Sequence, residues 1–311
     1  MKNILFIFLL ISSSLFAQQS DKKWDKVIAF ENEGKIKSAN EIVSEIYKRA
    51  VSEKDEVQMI KCFFYQSKYL LVVDENAQNK ILNNLKSEIN RVSIPSKAIL
   101  NFVYAKCLND YYNRNVYKIQ RRTNTTFLDE NFLTWTEANF KSQIDSTLKK
   151  TLENETILKS TLLEKYETIF DFFTLEKFKK ENLFDYLLKE NLTFYKQKVR
   201  QWEFTKSDFT HYKKELLGKS ADFIKINFDF VTNENLRYVL ALYQKQEVYN
   251  PTGDNQLERM QYCKNTLLES DEDYLPALNN LQKETKDVIL IQKIQLSHQI
   301  YLLKILLNIL I

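Results

Sequence analysis

Three glycines and three prolines in 311 residues leave this chain few places to reverse tightly or to hold a left-handed backbone. Average usage at this length would supply roughly 20 glycines and about 15 prolines. Strand hairpins and phosphate-cradling loops both draw on glycine at positive φ. Their scarcity predicts an all-α chain of helices joined by short polar turns, and it argues against a P-loop or a dinucleotide crevice. A hydrophobic share of 44% and an aromatic share of 13% supply a large core and exclude wholesale disorder. The length admits two domains or one elongated repeat array.

Residues 1–17 have the three-part pattern of a secretory signal. Lys2 forms a short basic start, Ile4 to Ile11 is an uninterrupted apolar run, and Ser12 to Ser14 break it before the small residue Ala17. The apolar run is far shorter than the roughly 20 residues that span a bilayer. No cysteine follows it, which disfavours a lipid-anchored precursor. The expectation is an exported protein, periplasmic or extracellular, cleaved after Ala17.

Residues 18–115 read as helical hairpins. Trp24, Val27, Ile28 and Glu31 sketch a first helix, and Gly34 supplies the turn where it should end. Ser38 with Glu41 reads as a capping box. Ala39, Ile42, Val43, Ile46, Tyr47 and Ala50 then recur at i, i+3, i+4, i+7, i+8 and i+11, the cleanest helical stripe in the chain. A second hairpin places Val57, Ile60, Phe63, Phe64, Ser67 and Leu71 on one helix and Leu82, Leu85, Ile89 and Val92 on the next. Asp74 and Glu75 stand at its turn, where acids complement a helix N-terminus. A third unit opens at Pro95, a residue tolerated in a first helical turn, and carries Ala98, Ile99, Phe102, Val103, Ala105, Tyr111 and Tyr112. Units of about 35–40 residues that cannot bury their own faces should stack on one another as a tetratricopeptide-like solenoid. The match is loose, because the spacing from Trp24 to Gly34 is too long for the consensus.

The periodicity lapses over residues 116–140, which read as an ordered loop pinned by Trp135 and Phe140. Lys118, Arg121 and Arg122 form a small basic cluster there; a solvated or salt-bridged patch and a phosphate or partner contact are its two readings. Residues 141–287 read as a further helical region. Ile144, Leu148, Leu152 and Leu158 suggest one helix, and Leu162, Leu163 and Tyr166 another. Leu183 to Tyr195 should form a strongly buried helix, and residues 196–231 are aromatic and basic with weak periodicity. Leu236, Val239, Leu240 and Tyr243 mark one further helix, and Gly253 opens another bearing Leu257, Met260, Cys263 and Leu267. Ser270 with Asp273 reads as a cap before Leu275, Leu278 and Leu281.

Residues 288–311 change character. They contain no Asp or Glu, and Lys293 and Lys304 interrupt an otherwise apolar run. Three explanations stand: a buried terminal helix, an out-of-frame tail after a coding lesion, or a membrane anchor.

Chemistry is thin. His211 and His298 are the chain's two histidines, far apart and outside any metal-ligand spacing. No G-x-S-x-G elbow, glycine-rich phosphate loop or C-x-x-C pair occurs. Carboxylates sit among lysines at i to i+4 spacings, the pattern of a solvated face; Asp171 with Glu176 could make an acid/base couple, but nothing marks that pair out from the others. The 21 Phe and 17 Tyr suit core packing better than stacking on bases or sugars. Cys62, Cys107 and Cys263 make an odd count, which leaves at least one thiol free or paired between chains. Cys62 and Cys107 fall on apolar helix faces as small buried hydrophobes, with a Cys62–Cys107 disulfide the alternative in an oxidising compartment. The net charge of +4 is interspersed along the chain and gives no footprint for nucleic acid. No catalytic residue, metal ligand or cofactor-binding residue is nominated, and no cofactor is expected.

Four sets of residues, in this order and spacing, resemble the N-terminal helical region of bacterial alpha-2-macroglobulin family proteins. The first is Trp24 and Val27, followed by Gly34-Lys35-Ile36-Lys37-Ser38-Ala39, Ile42-Val43 and Ile46-Tyr47. The second is Ile94-Pro95-Ser96-Lys97-Ala98-Ile99-Leu100 with Tyr111-Tyr112. The third is Arg122-Thr123 leading to Phe132-Leu133-Thr134-Trp135. The fourth is Asn182-Leu183-Phe184-Asp185-Tyr186-Leu187 before Leu192-Thr193-Phe194-Tyr195. The resemblance covers roughly residues 20–285. It implies an exported relative of broad-spectrum protease inhibitors, in which cleavage of a bait segment lets a β-rich body trap the protease. Some members also carry a thioester within a G-C-G-E-Q motif. Bait region, β-rich domains and that motif are all missing here, so no functional residue carries over.

Two functions follow as expectations. The first is the helical scaffold portion of an exported, truncated alpha-2-macroglobulin-like protein that lacks bait and thioester regions. The second is a free-standing periplasmic tetratricopeptide-like adaptor for a protein or peptide partner. Neither is an enzyme or a nucleic-acid binder, and membrane contact is expected, if at all, only through residues 288–311.

Overall fold

The computed structural model describes residues 22–122, 131–170, 180–269 and 272–309. The export signal with Ala17, the pair Asp171 and Glu176, Thr123 and the Ser270 half of a cap lie outside the described residues. The described residues are helical and contain no strand, with a single isolated antiparallel bridge between Leu162 and Asn182. Contacts divide the chain into two compact units, Met1–Leu187 and Leu188–Ile311. The division falls between Leu187 and Leu188.

The first unit opens with α1 (residues 22–32), α2 (Ile36–Glu53), α3 (Glu56–Val73) and α4 (Ala77–Ile89). Gly34 lies at φ 72°. Its N–H donates to the Glu31 carbonyl, and the Lys35 N–H donates to that of Phe30, which closes α1 with a Schellman turn. One residue later α2 is already running, so Ser38 and Glu41 lie inside the helix and no side chain caps its start. The expected capping box is absent because the glycine turn leaves no room for a separate cap. Trp24, Val27, Ala39, Val43, Ile46, Cys62 and Tyr69 form the core of this region. Each buried aliphatic side chain there contributes about 1.5–3 kcal/mol.

A second turn of the same kind joins α2 to α3 without a glycine. Lys54 sits at φ 57°, and the Asp55 N–H donates to the Ala50 carbonyl. Asp55 then caps α3 by accepting from the Gln58 N–H at 3.1 Å. Asp74 closes α3, and its carboxylate accepts from the Asn76 N–H ahead of α4.

α5 (Ile94–Gln120) starts with Pro95 in its first turn. It runs five residues into the stretch read as a loop, where Ile119 is fully buried. Helix propagation is cheap once begun, and one anchoring apolar residue suffices where the stripe has lapsed. The Arg122 guanidinium donates to the Trp135 carbonyl at 2.6 Å, so this member of the basic cluster joins the end of α5 to the backbone just ahead of Thr136. Tyr111, Tyr112, Phe132, Trp135 and Phe140 pack ring on ring there, with Trp135 and Phe140 buried as expected. α6 (Glu137–Lys150) begins with a capping box of Thr136 and Asn139, and α7 (Glu155–Ser160) follows.

α8 (Leu183–Lys196) spans the division between the units. The second unit then passes through 3-10 turns at Gln201–Glu203 and Lys206–Tyr212 and two short helices, α9 (Lys213–Leu217) and α10 (Ser220–Phe223). Phe209, Phe223, Phe228 and Phe230 pack on one another where sequence periodicity is weak. α11 (Glu234–Tyr249), α12 (Gly253–Thr266), α13 (Tyr274–Glu284) and α14 (Val288–Ile309) complete it. Leu290, Ile294 and Tyr301 of α14 are buried. Among the described residues no helix is long and apolar enough to cross a membrane.

Candidate binding cleft

A polar clasp joins the later turns of α2 and α4. The Tyr47 hydroxyl donates to Glu88 Oε1 at 2.6 Å, and Arg91 Nη1 donates to the same hydroxyl at 3.0 Å. Burial first, and then Glu88, push the Tyr47 hydroxyl up to about 12. Between α2 and α3, Gln66 Nε2 donates to Ser44 Oγ at 3.2 Å.

Beyond these links the helices leave a cleft of about 460 Å³. Ile36, Lys37 and Asn40 of α2 form one wall, Asn84 of α4 contributes to the other, and Phe63, Gln66, Ser67, Tyr69, Leu70 and Val73 of α3 make the floor. The exposed aliphatics Leu71, Val72 and Val73 extend the apolar surface at the end of α3. The Asn40 Oδ1 atom is buried and accepts no hydrogen bond. Lys37 is the charged residue of the lining. The volume lies within the usual range of ligand-holding clefts.

Neighbouring polar groups are structural. Glu56 accepts from the Ser93 N–H at 2.6 Å, from Ser93 Oγ at 2.7 Å and from Ser96 Oγ at 2.5 Å. It thereby caps α5 from another helix. Burial opposes ionisation of Glu56, yet the hydrogen bonds from Ser96 and Ser93 together hold its carboxyl below the ordinary value. Ser96 is fully buried and also meets the Tyr166 hydroxyl at 2.9 Å, which bars it from meeting a substrate.

In the second unit Arg259 and Glu247 are fully desolvated. Arg259 Nε donates to Glu247 Oε1 at 2.6 Å, and its Nη2 reaches Oε2 at 3.2 Å. The remaining donors reach the carbonyls of Leu216 at 2.5 Å and Gly218 at 2.8 Å. The guanidinium centre stacks 4.4 Å from the Phe223 ring centroid. Each guanidinium nitrogen is engaged within the unit, so the pair holds the short helices α9 and α10 to α11 and α12.

His211 is exposed on a 3-10 turn and His298 lies half-buried on α14. Among the described residues no group of three or more His, Cys, Asp or Glu side chains is placed to hold a metal ion. Cys62, Cys107 and Cys263 are free thiols, so the Cys62–Cys107 disulfide is not formed. Burial pushes Cys62 and Cys263 up to about 12, which suits small buried hydrophobes and not nucleophiles.

Sequence reasoning nominated no binding residue, and the cleft was missed. Its floor residues Phe63 and Ser67 stood in the predicted stripe, but Asn40, Gln66 and Asn84 carry no signal of their own. Comparison of the chain with protein-family models, curated proteins and solved structures finds no match.

Proposed function

We propose that this chain is a non-catalytic docking module whose first helices, stacked as tetratricopeptide-like hairpins, hold an apolar polypeptide segment in the α2–α3–α4 cleft. The observation that carries this reading is the largely apolar cleft of about 460 Å³, continued at the end of α3 by the exposed Leu71, Val72 and Val73. A polypeptide segment supplies the aliphatic or aromatic side chains that suit the floor made by Phe63, Leu70 and Val73. In this reading the module works outside the cytoplasm, and the mature chain begins at Gln18. Its role as the leading scaffold of an alpha-2-macroglobulin-like protein is the form of this proposal that the sequence resemblance favours.

The test is an array of immobilised 12-residue peptides graded in apolar content, probed with purified chain and with Ser67→Trp. The indole would fill the cleft from a half-buried position on α3. The native chain is expected to bind a subset rich in apolar residues, and Ser67→Trp to lose that binding by roughly tenfold or more. Equal binding by the two proteins, or none by the native chain, overturns the proposal. N-terminal sequencing of the protein recovered from the native envelope tests the export half.

A further inference from the structure

The basic cluster at the end of α5 divides in the structure. Arg122 donates to the Trp135 carbonyl, whereas Lys118 and Arg121 stay on the outer face of the helix, where Arg114 and Tyr117 join them. At 3.6 residues per turn these four positions fall within a sector of roughly 100°, on the side away from the buried Leu108, Tyr112 and Ile119. All four are exposed, Tyr117 by 79%.

Lys141, Lys149 and Lys159 of the next two helices each pair with the acid four residues earlier, Glu137, Asp145 and Glu155. On α5 the residue four before Lys118 is Arg114, and the residue three before Arg121 is Lys118. Like charges at these spacings destabilise a helix. Arg114, Lys118 and Arg121 have no ion-pair or hydrogen-bond partner among the described residues. Asp110, the acid one turn earlier on the same face, makes no ion pair with Arg114. The helix dipole favours cations at Lys118 and Arg121, but it gives no reason for Arg114 or for an aromatic ring held in water between the charges.

We propose that this face of α5 docks on an anionic lipid surface, with Arg114, Lys118 and Arg121 on its phosphate groups and Tyr117 among the headgroups. Arg114 and Arg121 are about 10 Å apart along the helix axis, so a plane carrying many phosphates meets all three cations at once. The same plane relieves their mutual repulsion. Tyrosine is enriched at the level of lipid headgroups, where its ring and its hydroxyl meet different surroundings. Single-stranded nucleic acid is tracked by a basic groove, and these residues stand on an outward ridge. Each cation near such a surface strengthens attachment roughly fivefold at low salt. This inference does not rest on the α2–α3–α4 cleft, and either can fail alone.

The experiment is co-sedimentation of the full chain with vesicles of mixed phosphatidylglycerol and phosphatidylcholine, and with vesicles of phosphatidylcholine alone. Two variants accompany it, the triple Arg114→Gln, Lys118→Gln, Arg121→Gln and the single Tyr117→Ala. All of these positions are exposed, and circular dichroism with the melting midpoint establishes that both variants are folded. The native chain is expected to bind the mixed vesicles and not the neutral ones, and to release them as salt rises. The triple variant is expected to bind roughly 100-fold more weakly, and Tyr117→Ala roughly threefold more weakly. The proposal is overturned by a native chain that does not bind the mixed vesicles, or by either folded variant binding as tightly as the native chain. It is equally overturned if inorganic phosphate at matched ionic strength displaces the vesicles, which would make this a site for the free anion. A single-stranded oligonucleotide that outcompetes vesicles of equal phosphate content would overturn it as well.

Discussion

In the first unit neighbouring helices are joined by continuous apolar stripes, with polar clasps such as Tyr47–Glu88–Arg91 at the partly exposed rim. In the second unit a central link is an ion pair, Arg259 with Glu247, from which water is wholly excluded. The difference follows from the lengths of the elements. α2 and α3 have 18 residues each, enough to carry a stripe through several turns. α9 and α10 have five and four, too few to bury a face. Their carbonyls and those of the following turns need a donor from elsewhere, and a buried guanidinium supplies several at once. The general point is that long helices are organised by periodic apolar contact, whereas short ones need a polar hub brought by another segment.

The largest test of this contrast is Arg259→Leu. Removing one partner strands the Glu247 carboxylate and the Leu216 and Gly218 carbonyls, and the expected loss is about 3–5 kcal/mol, read by denaturant unfolding. Adding Glu247→Leu should return part of that loss, because the stranded charge then disappears. A loss below about 1 kcal/mol, the usual ceiling for a surface pair, would remove the hub from the argument.

Glu56→Gln probes a polar link in the first unit and should act less strongly. One neutral acceptor replaces a carboxylate at the start of α5, with an expected cost of about 1–2 kcal/mol. The native carboxyl is held below its ordinary value of 4.5, so the folded state binds the proton less readily than the unfolded chain. Its contribution is therefore fully present above about 4.5 and is lost as pH falls through the lower folded-state value. Melting midpoints between neutral pH and pH 3 should fall more steeply for the native chain than for Glu56→Gln. Parallel curves would assign no linkage to this group.

The smallest effects belong to the turns at Gly34 and Lys54, which share a left-handed residue but not a glycine. Gly34→Ala should destabilise by about 1 kcal/mol from backbone strain alone, since nothing lies within 4 Å of the added carbon. Lys54→Gly should relieve the corresponding strain and change stability by less than about 1 kcal/mol, because the freer unfolded chain offsets part of the gain. Opposite signs in paired thermal melts support the turn assignment; a destabilised Lys54→Gly of equal size would show that the lysine side chain contributes more than its backbone costs.

The sequence by itself determined the helical class, the α2 stripe, the turn at Gly34, the start of α5 at Pro95 and the aromatic pinning by Trp135 and Phe140. These are local signals: a helical period, a residue type with unusual backbone freedom, or a ring large enough to demand burial, each legible within one or two turns of chain. Only the tertiary structure decided the rest. Lys54 takes a left-handed turn that its side chain does not advertise. Glu56 caps a helix that begins 37 residues later at Ser93, and Arg259 satisfies carbonyls 43 and 41 residues earlier at Leu216 and Gly218. Asn40 and Asn84, 44 residues apart in the numbering, meet at one cleft. On α14 the apolar residues read as one undivided run, and packing alone separated a covered face from an exposed one. The physical reason is common to all of these: a hydrogen-bond donor or an apolar face has no preferred partner until three-dimensional packing brings one within reach.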